Sequence, residues 1–200
     1  MKALSGRPKR CKVCRSEFVP RQSFQSWCSP ECGLKLSQAK QSKERARVDK
    51  AERAEIRQAK ERIKSRGDHL KDAQKAFNEF IRWRDRIAGH PCISSGRPLD
   101  WSGNQTDAGH YRSTGSAPHL RFDERNCHAQ NKMDNRFLSG NAVDYRIGLI
   151  KRIGLEAVEA LEADQEPRRY TIEDLKAITA KYRALVRELK RKLAQDAQAS

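Results

Sequence analysis

The chain has 200 residues, of which 42 are Lys or Arg and 26 are Asp or Glu, so its formal net charge at pH 7 is +16. Because 36% of the residues are hydrophobic and 34% are charged, the composition excludes a single large core and favours small modules joined by solvated helices. A positive charge of this size favours binding to a polyanion, whose counterions are released on association. Nucleic acid is therefore the predicted partner.

The composition also bears on location. No apolar run approaches the length of a membrane span, and the first ten residues lack the apolar segment of a signal peptide. A basic helix that lies on a membrane surface would carry exposed Trp or Phe, and no stretch of this chain shows that pattern. We therefore expect a cytoplasmic protein that does not bind membranes.

Four cysteines near the N terminus are spaced like metal ligands. Two residues separate Cys11 from Cys14, and three separate Cys28 from Cys32, which lies in the first turn of a predicted helix. In a reducing compartment such pairs favour a metal over disulfides. Residues 1–36 are too few to bury a core, so we predict a knuckle folded by structural zinc (Zn²⁺). The alternative is four free thiols, or a redox pair, in an unfolded tail.

Residues 37–66 are predicted to form a solvated helical connector. They are rich in Lys, Arg, Glu, Gln and Ala, contain no Pro or Gly, and have too few aliphatic residues for a coiled coil. Eleven basic residues against five acidic ones leave a surplus of six positive charges. We expect this connector to separate the knuckle from the next domain and to lie along a phosphate backbone.

Residues 67–165 are predicted to form the main module, with helices on both sides of a small hairpin. Gly67 interrupts the connector and Asp68 can cap a new helix. Apolar residues then recur at helical spacing as far as Ile87, which gives this helix a face for core packing.

Candidate catalytic residues lie on the predicted hairpin. Two short strands are expected at 106–113 and 120–128, followed by a helix near Lys132. His110 and Asn126 have the order and spacing of a small ββα nuclease, in which an imidazole takes a proton from water and an amide holds the loop beside it. His110 is the predicted general base and Asn126 the brace. The alternative is that both are ordinary turn and capping residues.

The same pattern predicts a site for a hard cation. Asn135 lies on the following helix, where an amide oxygen suits Mg²⁺ or Mn²⁺ better than zinc, and such an ion would neutralise charge on the scissile phosphate. Gly109 precedes the base and offers no ligand, which leaves Asp107 as the nearby carboxylate. Because strand residues three apart face opposite sides, Asp107 can join His110 only if Gly109 makes a bulge or kink.

Other residues of this segment are candidates for contacts with DNA. Arg112, Arg121 and Arg125 can clamp the scissile phosphate or stabilise its developing charge, against the alternative that they are ordinary surface charges. His119 and His128 are alternative metal ligands, and each is expected to lie at the surface or to contact DNA.

Residues 166–200 are predicted to form a C-terminal amphipathic helix, preceded by two shorter helices that meet at Gly154. Thr171 and Asp174 form a capping box at the start of the long helix, which carries a continuous apolar stripe. The stripe either packs on the helix of residues 70–87 or pairs with its copy in a homodimer, an arrangement suited to two symmetric cuts.

Longer motifs carry a resemblance to a known family. They read Pro-Cys-Ile-Ser-x-Gly, Asp-Ala-Gly-His-Tyr-Arg, Leu-Arg-Phe-Asp-Glu-Arg-Asn and Ser-Gly-Asn-x-x-x-Tyr-Arg. Over nearly its whole length the chain resembles the NinG/Rap recombination proteins of lambdoid phages. The resemblance implies an HNH-like endonuclease that cuts branched DNA, such as Holliday junctions and D-loops, during phage recombination. It also implies the host cytoplasm as the location and recombination proteins as partners.

The resemblance implies a second set of four cysteines around the nuclease site. Here those positions are Cys92, Ser95, Asn131 and Asp134, so three thiols are missing and no second structural zinc is expected. We expect packing, or hydrogen bonds through the three replacing residues, to stabilise this module instead.

Together these observations predict a mainly helical α+β protein with an N-terminal zinc knuckle, a long basic helix, a small HNH-like ββα-metal nuclease module and C-terminal helices. The predicted function is metal-dependent hydrolysis of branched DNA. One alternative is a non-catalytic recombination accessory protein that binds branched DNA. Another is a zinc-containing RNA-binding or transcription factor, which would need neither a general base nor a hydrolytic metal.

Overall fold

The computed structural model describes residues 7–137 and 140–199, and it divides into two units, Met1–Ile63 and Lys64–Ser200. The first six residues of the predicted knuckle and the last residue of the chain lie outside the described residues. Helices dominate the structure and two small antiparallel sheets complete it, which confirms the mainly helical α+β class. Among the described helices, none combines the length and apolarity that crossing a membrane requires.

The first unit consists of a cysteine-bearing turn region and one long helix. Strands β1 (Lys9–Arg10) and β2 (Glu17–Phe18) pair in antiparallel fashion. Helix α1 (Pro30–Arg62) has 33 residues and so extends about 50 Å at 1.5 Å per residue. The Ser29 side chain caps α1 by accepting a hydrogen bond from the Cys32 backbone N–H. No described residue of α1 is buried, so local helix propensity and solvation maintain it.

In the second unit, helices α2 (Arg66–Ile87) and α6 (Ile172–Ala199) pack against each other. The α2 cap is Ser65, whereas Asp68, the predicted cap, is the third residue of the helix and completes a capping box with Ser65. The apolar stripe of α6 therefore packs within the chain, as the first of the two alternatives expected. The buried residues that α2 and α6 contribute to this core are Ala76, Phe77, Phe80, Ile81, Tyr182 and Val186.

Strands β3 (Thr106–His110) and β4 (Cys127–Asn131) form a regular antiparallel ladder, and helix α3 (Lys132–Phe137) follows β4 directly. Ala108 and Cys127 belong to the core formed by α2 and α6, so one face of the ladder is covered by that pair of helices. Alternation along the strands places the intervening residues on the opposite face.

The predicted strand at 120–128 is wrong for most of its length. Two 3-10 turns, Pro118–Leu120 and Glu124–Asn126, precede β4. A proline begins the first turn, and at the second the Asp123 carboxylate accepts a hydrogen bond from the Arg125 N–H. Local turn chemistry therefore outweighs the apolar pattern that favoured a strand.

Helices α4 (Ala142–Ile153) and α5 (Leu155–Ala163) meet at Gly154, as predicted, and its φ of +88° suits a residue without a Cβ. The predicted capping box is present at the start of α6, where Thr171 and Asp174 exchange hydrogen bonds. The α4–α5 pair forms a second core with the turn before β3 and the first 3-10 turn. Its buried residues are Ile93, Ala117, Leu120, Tyr145, Leu149, Val158 and Leu161.

Candidate functional site

Four cysteine thiols converge in the first unit. The Sγ atoms of Cys11, Cys14, Cys28 and Cys32 all lie within 4.8 Å of one another. The turn at Cys11 is closed by a 3.0 Å hydrogen bond from the Arg15 N–H to the Cys11 carbonyl, and the start of α1 presents the other pair. The sequence-predicted ligands are thus brought together. Four sulfurs in one cluster are a donor set that suits tetrahedral zinc.

The hydrogen bonding around these thiols is uneven. Backbone hydrogen bonds, above all from Cys14, lower the pKa of Cys11 to about 6. The pKa of Cys28 is raised to about 12, chiefly by the hydrogen bond between its side chain and that of Cys14, whose Sγ lies 3.3 Å away. Without a metal, Cys11 is therefore largely a thiolate at neutral pH while Cys28 keeps its proton. Binding of zinc would require release of the remaining thiol protons.

A second turn of the same shape occurs in the second unit at Cys92–Arg97. Its two backbone hydrogen bonds run from the Gly96 N–H to the first carbonyl and from the first N–H to the last carbonyl, both at 2.9 Å. The Cys92 Sγ lies 3.4 Å from Asp134 Oδ2 and accepts a hydrogen bond from the Asn131 N–H at 3.2 Å. The thiol is therefore part of a hydrogen-bonded cluster at the start of α3.

The hydrogen bonds expected from Ser95, Asn131 and Asp134 are present in part. Asp134 takes part fully, because its Oδ2 also accepts from the Ser94 hydroxyl at 2.9 Å. Asn131 contributes its backbone N–H and uses its side chain to accept from the Met133 N–H at the start of α3. The Ser95 hydroxyl, in contrast, is buried without a partner among the described residues. Ser94 therefore makes the contact expected of its neighbour, because its side chain is the one that faces Asp134.

His110 lies at the end of β3 with one ring nitrogen fixed. Its Nε2 is 3.0 Å from the Arg121 carbonyl oxygen, and because a carbonyl only accepts, Nε2 carries the hydrogen. The lone pair is then on Nδ1, which accepts a weak hydrogen bond from the buried Cys127 thiol at 3.6 Å. Burial, to which the Phe77 ring contributes at 6.0 Å between centroids, lowers the pKa of His110. The imidazole is therefore neutral at pH 7, with a defined acceptor nitrogen.

Asn126 is fully buried and ties the end of β3 to the loop that follows. Its Oδ1 accepts from the Arg112 N–H at 2.8 Å, and its Nδ2 donates to the Arg112 carbonyl at 2.9 Å and to the Leu120 carbonyl at 3.2 Å. The amide thus makes three hydrogen bonds that fix the backbone on both sides of the loop. These contacts hold the carbonyl of Arg121, next to Leu120, in place beside the imidazole.

Asn135 and Asp107 contact each other. The Asn135 Nδ2 lies 3.2 Å from Asp107 Oδ2, which also accepts from the Arg136 Nε at 3.0 Å. Each residue of β3 has one partner in β4, so Gly109 makes no bulge and Asp107 faces the side of the strand opposite His110. The condition for joining Asp107 to His110 is therefore not met. Asn135, in contrast, lines a cavity of about 300 Å³ together with His110.

The three arginines predicted to contact phosphate differ in their engagement. Arg121 donates to two protein oxygens, both at 3.1 Å, and burial lowers its pKa. Arg125 is paired with the Asp123 carboxylate at 2.8 Å. The Arg112 side chain makes no hydrogen bond with the described residues, and Arg112 lies two positions after His110 in the chain. Of the three, Arg112 is therefore the one whose guanidinium is open to a phosphate.

His119 and His128 are buried, not at the surface as expected. The His119 Nε2 donates to the Asp164 carbonyl at 2.7 Å. The His128 Nδ1 lies 3.7 Å from the carboxylate of Asp85. Neither ring lines the cavity shared by His110 and Asn135, so the structure does not support them as alternative ligands there.

Asp85 is a buried charged residue that sequence analysis did not single out. Burial alone would raise the pKa of Asp85, but the His128 ring 3.7 Å away, a hydrogen bond from Arg84 and another from the Ala129 backbone N–H of β4 hold it well below its ordinary value. The carboxylate thereby fastens α2 to β4. A signal was present in the sequence, because Asp85 continues the four-residue spacing of Phe77 and Ile81 along the buried face of α2.

Comparison with known proteins places the chain in a family. The family model described as "Bacteriophage Lambda NinG protein" matches residues 4–192. Protein ninG of Salmonella phage P22 is 44% identical over 197 residues, covering 91% of this chain and 94% of that protein. Protein ninG of Escherichia phage lambda is 44% identical over 197 residues, with coverages of 91% and 93%. Protein ninG of Escherichia phage 933W is 42% identical over 193 residues, with coverages of 91% and 94%.

No solved structure matches the chain. The relatives nonetheless align with 91% of this chain and with 93 to 94% of their own length, at 42 to 44% identity. The chain therefore belongs to the NinG family of bacteriophage proteins.

Proposed function

We propose that this protein is an HNH-like, metal-dependent endonuclease that hydrolyses phosphodiester bonds in branched DNA such as Holliday junctions and D-loops. The observation that carries the proposal is the state of His110. Its Nε2–H is fixed by the Arg121 carbonyl, its Nδ1 is unprotonated at neutral pH beside the weakly donating Cys127 thiol, and its ring shares a cavity with Asn135. A general base needs that protonation state and a position beside its substrate.

One oxygen donor in the cavity of His110, and a second that contacts it, fit a hard cation. Asn135 supplies an amide oxygen and Asp107, which contacts Asn135, supplies a carboxylate, and both donor types suit Mg²⁺ or Mn²⁺. When bound, such an ion would neutralise charge on the phosphate and on the leaving oxygen. In this proposal His110 takes a proton from the attacking water, Asn126 holds the His110 loop, and Arg112 binds a phosphate oxygen.

The charge of the protein supports DNA as the partner. The segment 37–66, which includes most of α1, carries eleven basic and five acidic residues, and α1 exposes its side chains to solvent. A helix of this charge can lie along a phosphate backbone and release counterions. The proposed zinc knuckle would end that helix in a folded module. Two copies of the chain on a four-way junction would give paired cuts, and recombination proteins are the further partners proposed.

A second candidate is a non-catalytic protein that binds branched DNA. The observation in its favour is that Asp107 is already occupied by Arg136 and by the Asn135 amide N–H, so its carboxylate is partly neutralised. The Arg136 side chain is half exposed and can move into solvent, which would free the Asp107 carboxylate. We therefore favour the hypothesis of a catalytic protein.

A cleavage assay with a matched histidine variant tests the proposal. Purified protein is incubated with labelled four-way, D-loop, flap and linear duplex DNA, with and without Mg²⁺ or Mn²⁺. We expect metal-dependent cleavage of the branched forms, reduced by about 10²- to 10⁴-fold in His110→Ala with junction binding retained. His90→Ala, which alters a histidine outside the cavity of His110, is the control and should cut normally. Binding without cleavage under all metal conditions would support the accessory protein instead.

A further inference from the structure

Gln130 is a fully buried residue in β4 whose amide orientation is fixed by its neighbours. Its Nε2 donates to the Gly140 carbonyl at 2.8 Å and to the Ser94 hydroxyl at 3.0 Å. Because the Gly140 carbonyl can only accept, the nitrogen must lie on that side and the oxygen on the other. The direction of Oε1 is therefore determined by the hydrogen bonds of Nε2.

The Gln130 Oε1 has no hydrogen-bond partner among the residues that the structure describes, although it is buried. A buried carbonyl oxygen without a donor is disfavoured, and such groups in native proteins have a partner or a function. A donor, a water or a cation at this point would satisfy it. The residues around Oε1 indicate which of these partners it has.

Gln130 lies directly opposite Asp107 in the β3–β4 ladder, so the two side chains share one face of the hairpin. Its Oε1 occupies the space next to Gly109, where a Cβ would clash with it. Asp107 in turn contacts Asn135 on α3. Gln130 is thus opposite the carboxylate-bearing residue that contacts Asn135 of α3.

We propose that Gln130 Oε1 is a third ligand, with Asp107 and Asn135, of the divalent cation that the proposed nuclease requires. This inference rests on the proposed function and assigns one more residue to its metal site. Three oxygen donors of one face leave the remaining positions of an octahedral ion to water or phosphate oxygens, as Mg²⁺ and Mn²⁺ prefer. The Asn135 amide turns over to present its oxygen, and Arg136 moves off Asp107 into solvent. Gly109 is then the residue that makes room for the Gln130 oxygen.

The inference is tested by Mn²⁺ binding to the full-length, zinc-loaded protein without DNA, measured by calorimetry and by the electron paramagnetic resonance signal of free Mn²⁺. Gln130→Leu should weaken Mn²⁺ binding by about tenfold or more. Thermal unfolding without Mn²⁺ should also occur at a lower temperature, because the hydrogen bonds to Gly140 and Ser94 are lost. A merely structural Gln130 would lower the thermal stability and leave the affinity for Mn²⁺ unchanged. Gln165→Leu alters an exposed glutamine outside the site and should change neither readout.

A ligand swap covers the case in which Gln130→Leu fails to fold. Gln130 Oε1 lies where a side chain at position 109 would begin. In the double variant Gly109→Asp with Gln130→Ala, the new carboxylate can therefore take the place of the amide oxygen. This variant should bind Mn²⁺ within about tenfold of the unaltered protein. Gln130→Ala alone should bind it at least about tenfold more weakly. Equal Mn²⁺ affinity in all variants, or no Mn²⁺ binding by the unaltered protein, would overturn the inference. Binding that is weakened in Gln130→Leu, together with no cleavage of any DNA, would support the ion site and overturn the proposed function.

Discussion

The turns at Cys11–Ser16 and Cys92–Arg97 share a backbone and differ in what surrounds it. In each, the first N–H bonds to the sixth carbonyl and the fifth N–H to the first carbonyl, at 2.9 to 3.0 Å. The fifth residue is left-handed in both, Arg15 at φ +62° and Gly96 at φ +68°. The helix beside each turn places its third residue close to the first cysteine of that turn. This residue is Cys32 in the first case, near Cys11, and Asp134 in the second, near Cys92. The shape of the turn therefore does not depend on the number of thiols.

The surroundings of the two turns explain why their side chains differ. Within described residues 7–63, Cys11 and Pro20 are the only buried residues, so the first turn has almost no apolar core. The second turn contributes Ile93 to a core that also contains Tyr145. The comparison leads us to expect that the first turn needs a cross-linking metal because packing is absent there, whereas a core and hydrogen bonds suffice at the second turn.

The largest effect expected is the loss of the first turn on removal of zinc. Chelation should abolish amide protection in residues 9–32, because structural zinc contributes on the order of 10 kcal/mol and little apolar surface is buried there. Amides of residues 64–137 and 140–199 should keep their protection, since that unit has its own cores. Hydrogen exchange followed by mass spectrometry measures both regions at once.

Cys92→Ser is the matched control for the chelation experiment, because it removes a thiol from the second turn and should leave the zinc content unchanged. Protection of residues 9–32 that survives complete removal of zinc would contradict the role given to the metal.

The next effect in size is the creation of a second zinc site. The triple variant Ser95→Cys, Asn131→Cys and Asp134→Cys, with Cys92, would give the second turn four thiols around the point where Cys92 Sγ and Asp134 Oδ2 now lie 3.4 Å apart. Zinc content should rise from one to two ions per chain, with a gain of several kcal/mol in the free energy of unfolding of that unit. Atomic absorption and thermal unfolding measure these quantities.

Ser95→Cys alone serves as the control for the second site and should bind one zinc. A triple variant that still binds a single ion would show that the two turns share a backbone conformation but that the second turn does not position four thiols for zinc.

Sequence patterns predicted the elements whose causes are local. The spacing of four cysteines, the break at Gly154 and the box of Thr171 with Asp174 all depend on residues close in the chain, and each is present in the structure. The predicted strand at 120–128 was wrong because hydrophobic alternation was given more weight than the turn-forming Pro118 and Asp123.

Residues whose roles depend on distant partners could not be predicted in the same way. The inward position of Ser94 and the charge of Asp85 are explained by contacts with Asp134 and His128, each about forty residues away in the chain. The unpartnered Oε1 of Gln130 is likewise visible only once β3 and β4 are paired. Tertiary contacts of this kind are not encoded in any local window.

The two units should unfold at different pH values on acidification. Thiolate ligands take up protons and release zinc as the pH falls, so the first turn should unfold in mild acid. In the second unit the pKa of Asp85 is lower in the folded than in the unfolded protein, so its contribution is complete above its ordinary pKa of 3.8 and is lost only as the pH falls below that value. Circular dichroism should therefore show two unfolding transitions as the pH falls, and the first should coincide with the release of zinc. A single transition would mean that the second unit does not unfold independently.

The smallest effect expected concerns the buried hydrogen bonds between Asp134 and the second turn. Asp134→Ala removes the acceptor of the Ser94 hydroxyl and the partner of the Cys92 thiol, both buried, and should lower the free energy of unfolding of the second unit by about 1 to 3 kcal/mol in urea. Glu159→Ala, at an exposed position of α5, should change it by less than about 0.5 kcal/mol. Zinc content should be the same in both variants. A loss of zinc in Asp134→Ala would mean that the second turn also holds metal, and the contrast between the two turns would then be one of affinity and not of mechanism.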